Sequence, residues 1–221
     1  MGLPEYKHCY AVLLDGLFTE QEQELARYLS TAESHSPWEV ARVNTGPNTS
    51  FLNKSHRNGE RIIYDNFELS EQIFSKIRPH LSDIEYIENL EWNRGKEKLV
   101  KRKMVSRSCY RSASWRSKRL LIQVRMNERL RFLRYQPGGF FRRHIDGPYE
   151  TPDRKMLTFY TVQLYLPSSS DGSPESRELP QGGATRFLSQ MSDAYYDVDP
   201  IPGRVLVFQH DHLLHTGEEV S

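Results

Sequence analysis

The chain has 221 residues, with 30 Lys or Arg against 29 Asp or Glu, so its formal net charge is +1. No apolar run approaches the roughly 18 residues of a membrane helix, and the first residues lack the apolar core of a signal peptide. We therefore expect a folded protein without a membrane span, in the cytoplasm or the nucleus. With only two cysteines, a disulfide scaffold and a zinc site built from cysteines are excluded.

The near-zero net charge hides a segregation of charge along the chain. Residues 94–134 hold 15 Lys or Arg and two Glu, a local charge of +13, which leaves −12 for the rest. Such a basic block is typical of nucleic-acid binding. Residues 99–125 show no strand or helix period, however, and only Tyr110 and Trp115 offer aromatic rings for stacking on bases. We therefore favour an exposed or non-native insertion, and we expect no nucleic-acid partner.

An amino-terminal strand and two helices are predicted first. Residues 9–15 are typical of a short buried strand. Thr19 and Glu22 form a capping box, which predicts a helix that ends near residue 30. Asp65 and Glu68 indicate a second cap. The apolar residues after it repeat at helical spacing, and they are Leu69, Ile73, Phe74, Ile77 and Leu81.

A polar stretch from residue 44 to residue 60 separates the two helices. Gly46, Pro47 and Gly59 mark loops within it.

From Arg131 onward the pattern changes to strands separated by turns. Pro137–Gly139 predicts a turn, and residues 168–181 are of low complexity and predict a surface loop. The predicted strands cover 131–135, 157–166, 182–187 and 204–208. Helices followed by closely spaced strands predict the α+β class with an antiparallel barrel or jelly roll. We expect three regions, namely a support region 1–98, the basic insertion 99–125 and a jelly-roll core 126–221.

His144 and Asp146 are the first candidates for a metal site. Positions i and i+2 of a strand share a face, so the imidazole and the carboxylate point the same way. Two histidines and one carboxylate suit non-haem Fe(II), and they leave open positions for a co-substrate and O₂. The second histidine has three candidates after the strand 204–208, namely His210, His212 and His215.

Five ordered blocks of sequence resemble one known family. They are YQPGGFFRRHID from Tyr135, LT from Leu157 with YLP from Tyr165, GGATRF from Gly182, PGRVLVFQH from Pro202 and LHTGEEV from Leu214. This series resembles the Fe(II)/2-oxoglutarate dioxygenase domain of the prolyl 4-hydroxylase alpha-subunit-like family. The resemblance covers residues 131–221 strongly and the strand and helix of residues 9–30 more loosely. It implies a double-stranded β-helix, or jelly roll, with amino-terminal supporting helices.

The resemblance also implies a site and an activity. The iron ligands would be His144, Asp146 and His215, and Tyr135 matches a family tyrosine that hydrogen-bonds the 2-oxoglutarate carboxylate. The reaction would couple oxidative decarboxylation of 2-oxoglutarate by O₂ to hydroxylation of peptidyl proline, with ascorbate as the reductant. The partner would be a proline-containing protein or peptide. The block from Gly182 to Phe187, with Gly183 and Thr185, would be structural.

One departure from the family concerns the distal carboxylate of 2-oxoglutarate. The family binds it with a Lys or Arg on the strand after the distal histidine, but here Ser221 is reached six residues after His215. We therefore expect the closing strand to be missing from a truncated chain. Arg186 and Arg204 are the substitutes considered, and no sequence pattern supports either of them.

Two further features carry weaker signals. Asn58 and Arg61 lie where related enzymes have a loop over the substrate groove, and we interpret them as ordinary polar loop residues. The alternative to an active enzyme is a catalytically impaired homologue that binds nucleic acid or protein through the basic segment 94–134.

Overall fold

The structure is a computed structural model. It describes all residues except 1–2, 24–25, 27–36, 47–48, 82–83, 85–86, 89–118, 121–124, 150–157, 168–180 and 211. The chain divides into two compact units, one formed by residues 1–66 with 129–221 and the other by residues 67–128.

Strands account for most of the regular structure in the described residues. In chain order they are β1 (Ala11–Leu14), β2 (Glu39–Val40), β3 (Val43–Gly46), β4 (Thr49–Phe51), β5 (Arg57–Asn58), β6 (Glu60–Asp65), β7 (Ile87–Glu88), β8 (Arg119–Leu120), β9 (Arg129–Arg134), β10 (Phe140–His144), β11 (Tyr160–Leu164), β12 (Thr185–Leu188), β13 (Tyr195–Val198), β14 (Val205–Gln209) and β15 (His215–Gly217). The helix α1 spans Phe67–Ile77, and single 3-10 turns lie at Pro4–Tyr6 and Arg78–His80.

The first unit contains two sheets that enclose the main core. One sheet has the order β13-β12-β15-β10-β5 and the other has the order β1-β14-β11, with antiparallel pairing throughout. Phe187 of β12 and Phe208 of β14 meet edge to face between them, with ring centroids 5.4 Å apart. Two antiparallel sheets with a shared apolar interior are consistent with the predicted jelly roll.

The central strand β14 explains how the smaller sheet forms. Its residues Val205–Phe208 are all apolar and almost completely buried. A continuous apolar run is typical of a strand with neighbours on both edges and covered faces. The strand pairs with β1 through Leu14 and with β11 through Leu164, both opposite Val205. The predicted strands 9–15 and 204–208 are thus confirmed and lie side by side.

The remaining strands of this unit form smaller sheets. β6 pairs with β9 and β2 in a second three-stranded sheet, and β3 pairs with β4. The polar stretch 44–60 therefore contains strands as well as the loops predicted there. Strand β13 was not predicted, because its sequence Tyr195-Tyr196-Asp197-Val198 buries only Val198 and lacks a clear alternation.

The capping box at the first predicted helix is confirmed. The backbone N–H of Thr19 donates to Glu22 Oε2 at 2.9 Å, and the N–H of Glu22 donates to Thr19 Oγ1 at 3.3 Å. Residues 20–23 are helical, and most of the predicted remainder of this helix lies outside the described residues.

The second predicted helix is α1, and its predicted apolar face is buried. The predicted cap at Asp65 is wrong. Asp65 is the last residue of β6, and its carboxylate accepts two hydrogen bonds from Arg129, at 2.9 and 2.8 Å. The α-helix ends at Ile77, and the chain continues as a 3-10 turn that contains Pro79, which has no N–H for a helical bond.

The described residues are thus mainly strands with few helices, so the helical part of the predicted α+β class is smaller than expected. The supporting role of the amino-terminal helices, the missing closing strand and the three predicted regions stay predictions. Most of the basic insertion 99–125 lies outside the described residues. Among the residues that are described, no helix is long and apolar enough to cross a membrane.

Candidate metal centre

Strand pairing brings two of the candidate histidines together. His144 ends β10, His215 begins β15, and the two residues are directly opposite each other in the antiparallel pair. Directly opposed residues project their side chains to the same face of a sheet. The imidazole centroids are accordingly 4.1 Å apart.

Asp146 completes the cluster two residues after His144. Its Oδ1 lies 3.6 Å from His144 Nε2 and 3.9 Å from His215 Nε2. Its Oδ2 accepts a 2.5 Å hydrogen bond from the Thr161 hydroxyl of β11. Because one carboxylate oxygen is held by Thr161, the other is directed at the two histidines. One potential ligand atom from each of the three residues lies within 4.8 Å of the others.

Backbone hydrogen bonds select the tautomer of both imidazoles. His144 Nδ1 lies 2.8 Å from the carbonyl oxygen of Arg142, and His215 Nδ1 lies 2.9 Å from that of Leu213. A carbonyl oxygen can only accept, so each Nδ1 carries the proton and each Nε2 keeps its lone pair. Both lone pairs therefore belong to the nitrogens that face Asp146.

The electrostatic environment also favours a metal-binding state. Burial and the neighbouring His215 lower the pKa of His144 to about 4, so its imidazole is neutral at neutral pH. Burial raises the pKa of Asp146, but His215 and the hydrogen bond from Thr161 outweigh it and leave this pKa below its ordinary value. The cluster thus offers a neutral His144 imidazole and an ionised Asp146 carboxylate at neutral pH.

Aromatic rings surround the histidines. Phe141 stacks on His144 with a centroid distance of 3.6 Å, and Phe208 and Phe187 pack on His215 at 5.0 and 5.8 Å. The side chain of His215 is 6% exposed, against 27% for Asp146. The cluster is therefore more deeply buried on the His215 side than on the Asp146 side. Two imidazole nitrogens and a carboxylate oxygen converging with an open face fit the ligand preference of non-haem Fe(II).

The other two candidate histidines lie elsewhere. His210 is buried after β14, and its backbone N–H donates to the carbonyl of Phe159. His212 is exposed and adopts a φ of +67°. It is followed by the buried Leu213, before β15 begins at His215. Within the described part of the chain, neither belongs to the cluster of His144, Asp146 and His215.

Tyr135, the predicted 2-oxoglutarate residue, lies beside an arginine that sequence reasoning missed. Its hydroxyl oxygen accepts hydrogen bonds from Arg57 Nε at 3.3 Å and Nη2 at 3.2 Å. Its ring lies so close to Gly59 that a Cβ there would come within 2.5 Å of it. Arg57 carries no signal in the sequence, because it is one cation within a polar stretch. Only the pairing of β5 with β10 reveals its position.

Asn58 and Arg61 have ordinary structural contacts. Asn58 Nδ2 donates to the carbonyl of Gly138 at 3.1 Å, and Arg61 forms an ion pair with Glu39 at 2.7 Å. These contacts agree with the interpretation of both as ordinary polar residues.

The two substitute cations considered for the distal carboxylate are already paired. Arg186 contacts Asp197 at 2.6 Å and Glu218 at 2.9 Å. Arg204 makes two hydrogen bonds to Asp15, at 2.8 and 3.0 Å. Each guanidinium is thus neutralised by carboxylates of the chain.

Comparison with known proteins identifies the class. Residues 130–221 match the family model described as the 2OG-Fe(II) oxygenase superfamily. The matched region contains all three clustered residues. The chain accordingly carries the domain of a 2-oxoglutarate-dependent dioxygenase, as predicted, and this family implies Fe(II) and 2-oxoglutarate.

Solved structures similar to this chain include two hydroxylases. A Pseudomonas putida prolyl-4-hydroxylase is 15% identical, with a TM-score of 0.49 over 98% of this chain and 91% of that chain. The viral collagen prolyl hydroxylase of Paramecium Bursaria Chlorella virus-1, in a 2-oxoglutarate complex, is 16% identical, with a TM-score of 0.49 over 96% and 89% of the two chains. No curated protein matches the chain.

Proposed function

We propose that this chain binds Fe(II) through His144, Asp146 and His215 and hydroxylates peptidyl proline at carbon 4. The observation that carries the proposal is the convergence of two Nε2 atoms on Asp146 Oδ1, at 3.6 and 3.9 Å. Both Nδ1 atoms are engaged with backbone carbonyls, so the lone pairs available to a metal lie on the converging side.

Each residue of the centre has a distinct task. His144 and His215 donate their Nε2 lone pairs, and Asp146 supplies one negative charge. Thr161 holds the carboxylate in position from the facing sheet. Phe141, Phe187 and Phe208 immobilise the imidazoles and exclude water from the closed side. When bound, Fe(II) and 2-oxoglutarate would activate O₂, so that one oxygen atom converts a substrate C–H bond to C–OH while 2-oxoglutarate is oxidised to succinate and CO₂.

The finer assignment to proline rests on the five motif blocks from Tyr135 to Val220. Tyr135 takes the part of a hydrogen-bond partner of 2-oxoglutarate, and ascorbate keeps the iron reduced between turnovers. The opposing hypothesis, a binding module built on residues 94–134, concerns a segment that lies largely outside the described residues. It has no support from the comparisons.

Metal binding and turnover test the centre directly. His144→Ala and Asp146→Ala should each abolish tight Mn(II) binding, measured by electron paramagnetic resonance, and 2-oxoglutarate-dependent succinate release. His212→Asn is the matched control, because His212 lies outside the cluster and asparagine tolerates its positive φ. Unchanged Mn(II) affinity and turnover in both cluster variants would falsify the metal assignment.

The substrate class needs its own test. Proline-containing peptides incubated with the Fe(II)-loaded enzyme, 2-oxoglutarate, ascorbate and O₂ should gain one oxygen atom, found as 4-hydroxyproline after acid hydrolysis. Oxygen located on another residue type would overturn the proline assignment and leave the metal centre intact.

A further inference from the structure

Arg57 places a positive charge next to the metal centre. It lies on β5 opposite Phe141 of β10, and its guanidinium carbon lies 4.2 Å from the centroid of the Phe141 ring. Phe141 in turn stacks on His144 with a centroid distance of 3.6 Å. A single aromatic ring thus contacts both the guanidinium and a proposed iron ligand.

The hydrogen bonds of Arg57 all lead to neutral acceptors. Nε and Nη2 donate to the Tyr135 hydroxyl oxygen, and Nη1 donates to the backbone carbonyl of Arg42 at 3.2 Å. Among the described residues, Arg57 has no carboxylate partner. Other arginines of the same unit are paired with carboxylates; they are Arg61, Arg129, Arg134, Arg186 and Arg204. The charge of Arg57 is therefore uncompensated within this part of the chain.

The Tyr135 hydroxyl adds a second donor at the same place. It accepts both N–H groups of Arg57, and within the described ranges its own proton has no acceptor. A phenol that accepts from a cation has its O–H polarised for donation. A guanidinium with its charge uncompensated and an unused O–H, 3.2 Å apart, together match the needs of one carboxylate.

We propose that Arg57 and Tyr135 form the carboxylate-binding pair of this site. The proposal rests on the proposed function, since the carboxylate is one carried by a molecule bound at the metal centre. That carboxylate has two sources, the distal group of 2-oxoglutarate or an acidic side chain of the substrate peptide. Arg186 and Arg204 do not compete for either, because their guanidinium groups already contact Asp197, Glu218 and Asp15.

Two 2-oxo acids test whether the bound carboxylate is the distal group of 2-oxoglutarate. 2-Oxovalerate keeps the metal-chelating end of 2-oxoglutarate and lacks its distal carboxylate. Titration of the Mn(II)-loaded protein by calorimetry should show Arg57→Gln binding 2-oxoglutarate about tenfold to a hundredfold more weakly, the loss typical of a charged hydrogen bond. Its affinity for 2-oxovalerate should be unchanged. Tyr135→Phe should show the same selective loss to a smaller extent.

A pair of peptides tests whether the bound carboxylate is an acidic side chain of the substrate. Two proline-containing peptides that differ only by Glu or Gln next to the proline are titrated into the protein loaded with Mn(II) and 2-oxoglutarate. If the carboxylate comes from the substrate, Arg57→Gln should lose the preference for the Glu peptide and keep its affinity for 2-oxoglutarate.

Controls separate this proposal from folding and from the proposed function. Arg61→Gln, four residues along the same segment and paired with Glu39, should change none of these affinities. Mn(II) affinity should stay at the wild-type value in the Arg57 and Tyr135 variants, which shows that the metal centre is folded in both. The proposal of a carboxylate-binding pair is overturned if Arg57→Gln still distinguishes 2-oxoglutarate from 2-oxovalerate, and the Glu peptide from the Gln peptide, as well as the wild type does. Mn(II) binding that is as tight in His144→Ala as in the wild type overturns the proposed function instead.

Discussion

At the scale of single residues, hydrogen bonds orient the side chains of the candidate metal centre. The Thr161 hydroxyl donates to one oxygen of Asp146 and leaves the other directed at the two histidines. Such outer contacts fix the direction of ligand atoms, and their loss typically weakens metal binding without removing a ligand.

Thr161→Val tests this directly, because valine keeps the shape of threonine and removes the hydroxyl. We expect a loss of about tenfold to a hundredfold in Mn(II) affinity, since Asp146 is then free to rotate. Isothermal calorimetry with Mn(II) measures the change. Thr161→Ser retains the hydroxyl and should bind nearly as wild type. Equal affinity in the valine and serine variants would show that the hydrogen bond has no part in orienting Asp146.

At the scale of elements, the turn that leads into β12 depends on glycine. Gly182 and Gly183 have φ of +74° and +70°, and Gly182 forms an isolated β-bridge with Val220. A Cβ on Gly182 would collide with the carbonyl oxygen of Glu219. The positive φ of both glycines, together with the close approach of backbone at Gly182, agrees with the prediction that they serve structure.

Gly182→Ala should therefore destabilise the protein, whereas Gly147→Ala should not. The left-handed backbone alone costs about 1–2 kcal/mol for alanine, and the collision with Glu219 adds to that cost. A methyl group at Gly147 would have no atom within 4 Å, and this glycine has no positive φ, which makes it a matched control. Urea unfolding measures both, and equal midpoints for the two variants would contradict the close approach.

At the scale of the whole first unit, the candidate ligands connect elements that are distant in sequence. Asp146 and His215 are 69 residues apart in the chain. His144 and His215 belong to the five-stranded sheet, while Asp146 is anchored by Thr161 of the facing sheet. A metal at this point would bind the folded state, because the unfolded chain has no preformed site.

Metal should accordingly stabilise the folded protein. At a Mn(II) concentration of one hundred times the Kd, mass action adds about 2.7 kcal/mol to the free energy of unfolding. The thermal unfolding midpoint should rise on adding Mn(II) and return on adding a chelator. Asp146→Ala, which removes one ligand, should show no such rise. A rise of equal size in that variant would place the bound metal elsewhere.

Local sequence patterns predicted those features that depend on neighbours along the chain. The capping box of Thr19 and Glu22, the buried face of α1 and the buried strand β14 are all confirmed. The prediction of a helix cap at Asp65 was wrong, because the Asp65 carboxylate accepts hydrogen bonds from Arg129, which is distant in sequence. Strand β13 was not predicted, because its two adjacent tyrosines are both exposed and the strand lacks the alternation of buried and exposed residues on which strand prediction depends.

The sequence by itself predicted that the side chains of His144 and Asp146 lie close together, since a spacing of two residues in an extended chain puts both on one side. The order of its motif blocks also predicted the oxygenase family whose model matches residues 130–221. The motif blocks already implied His215 rather than His210 or His212, and the tertiary structure places it opposite His144. Only the structure joins Arg57 to Tyr135. Those contacts follow from the register of strands far apart in the chain, and no local propensity encodes that register.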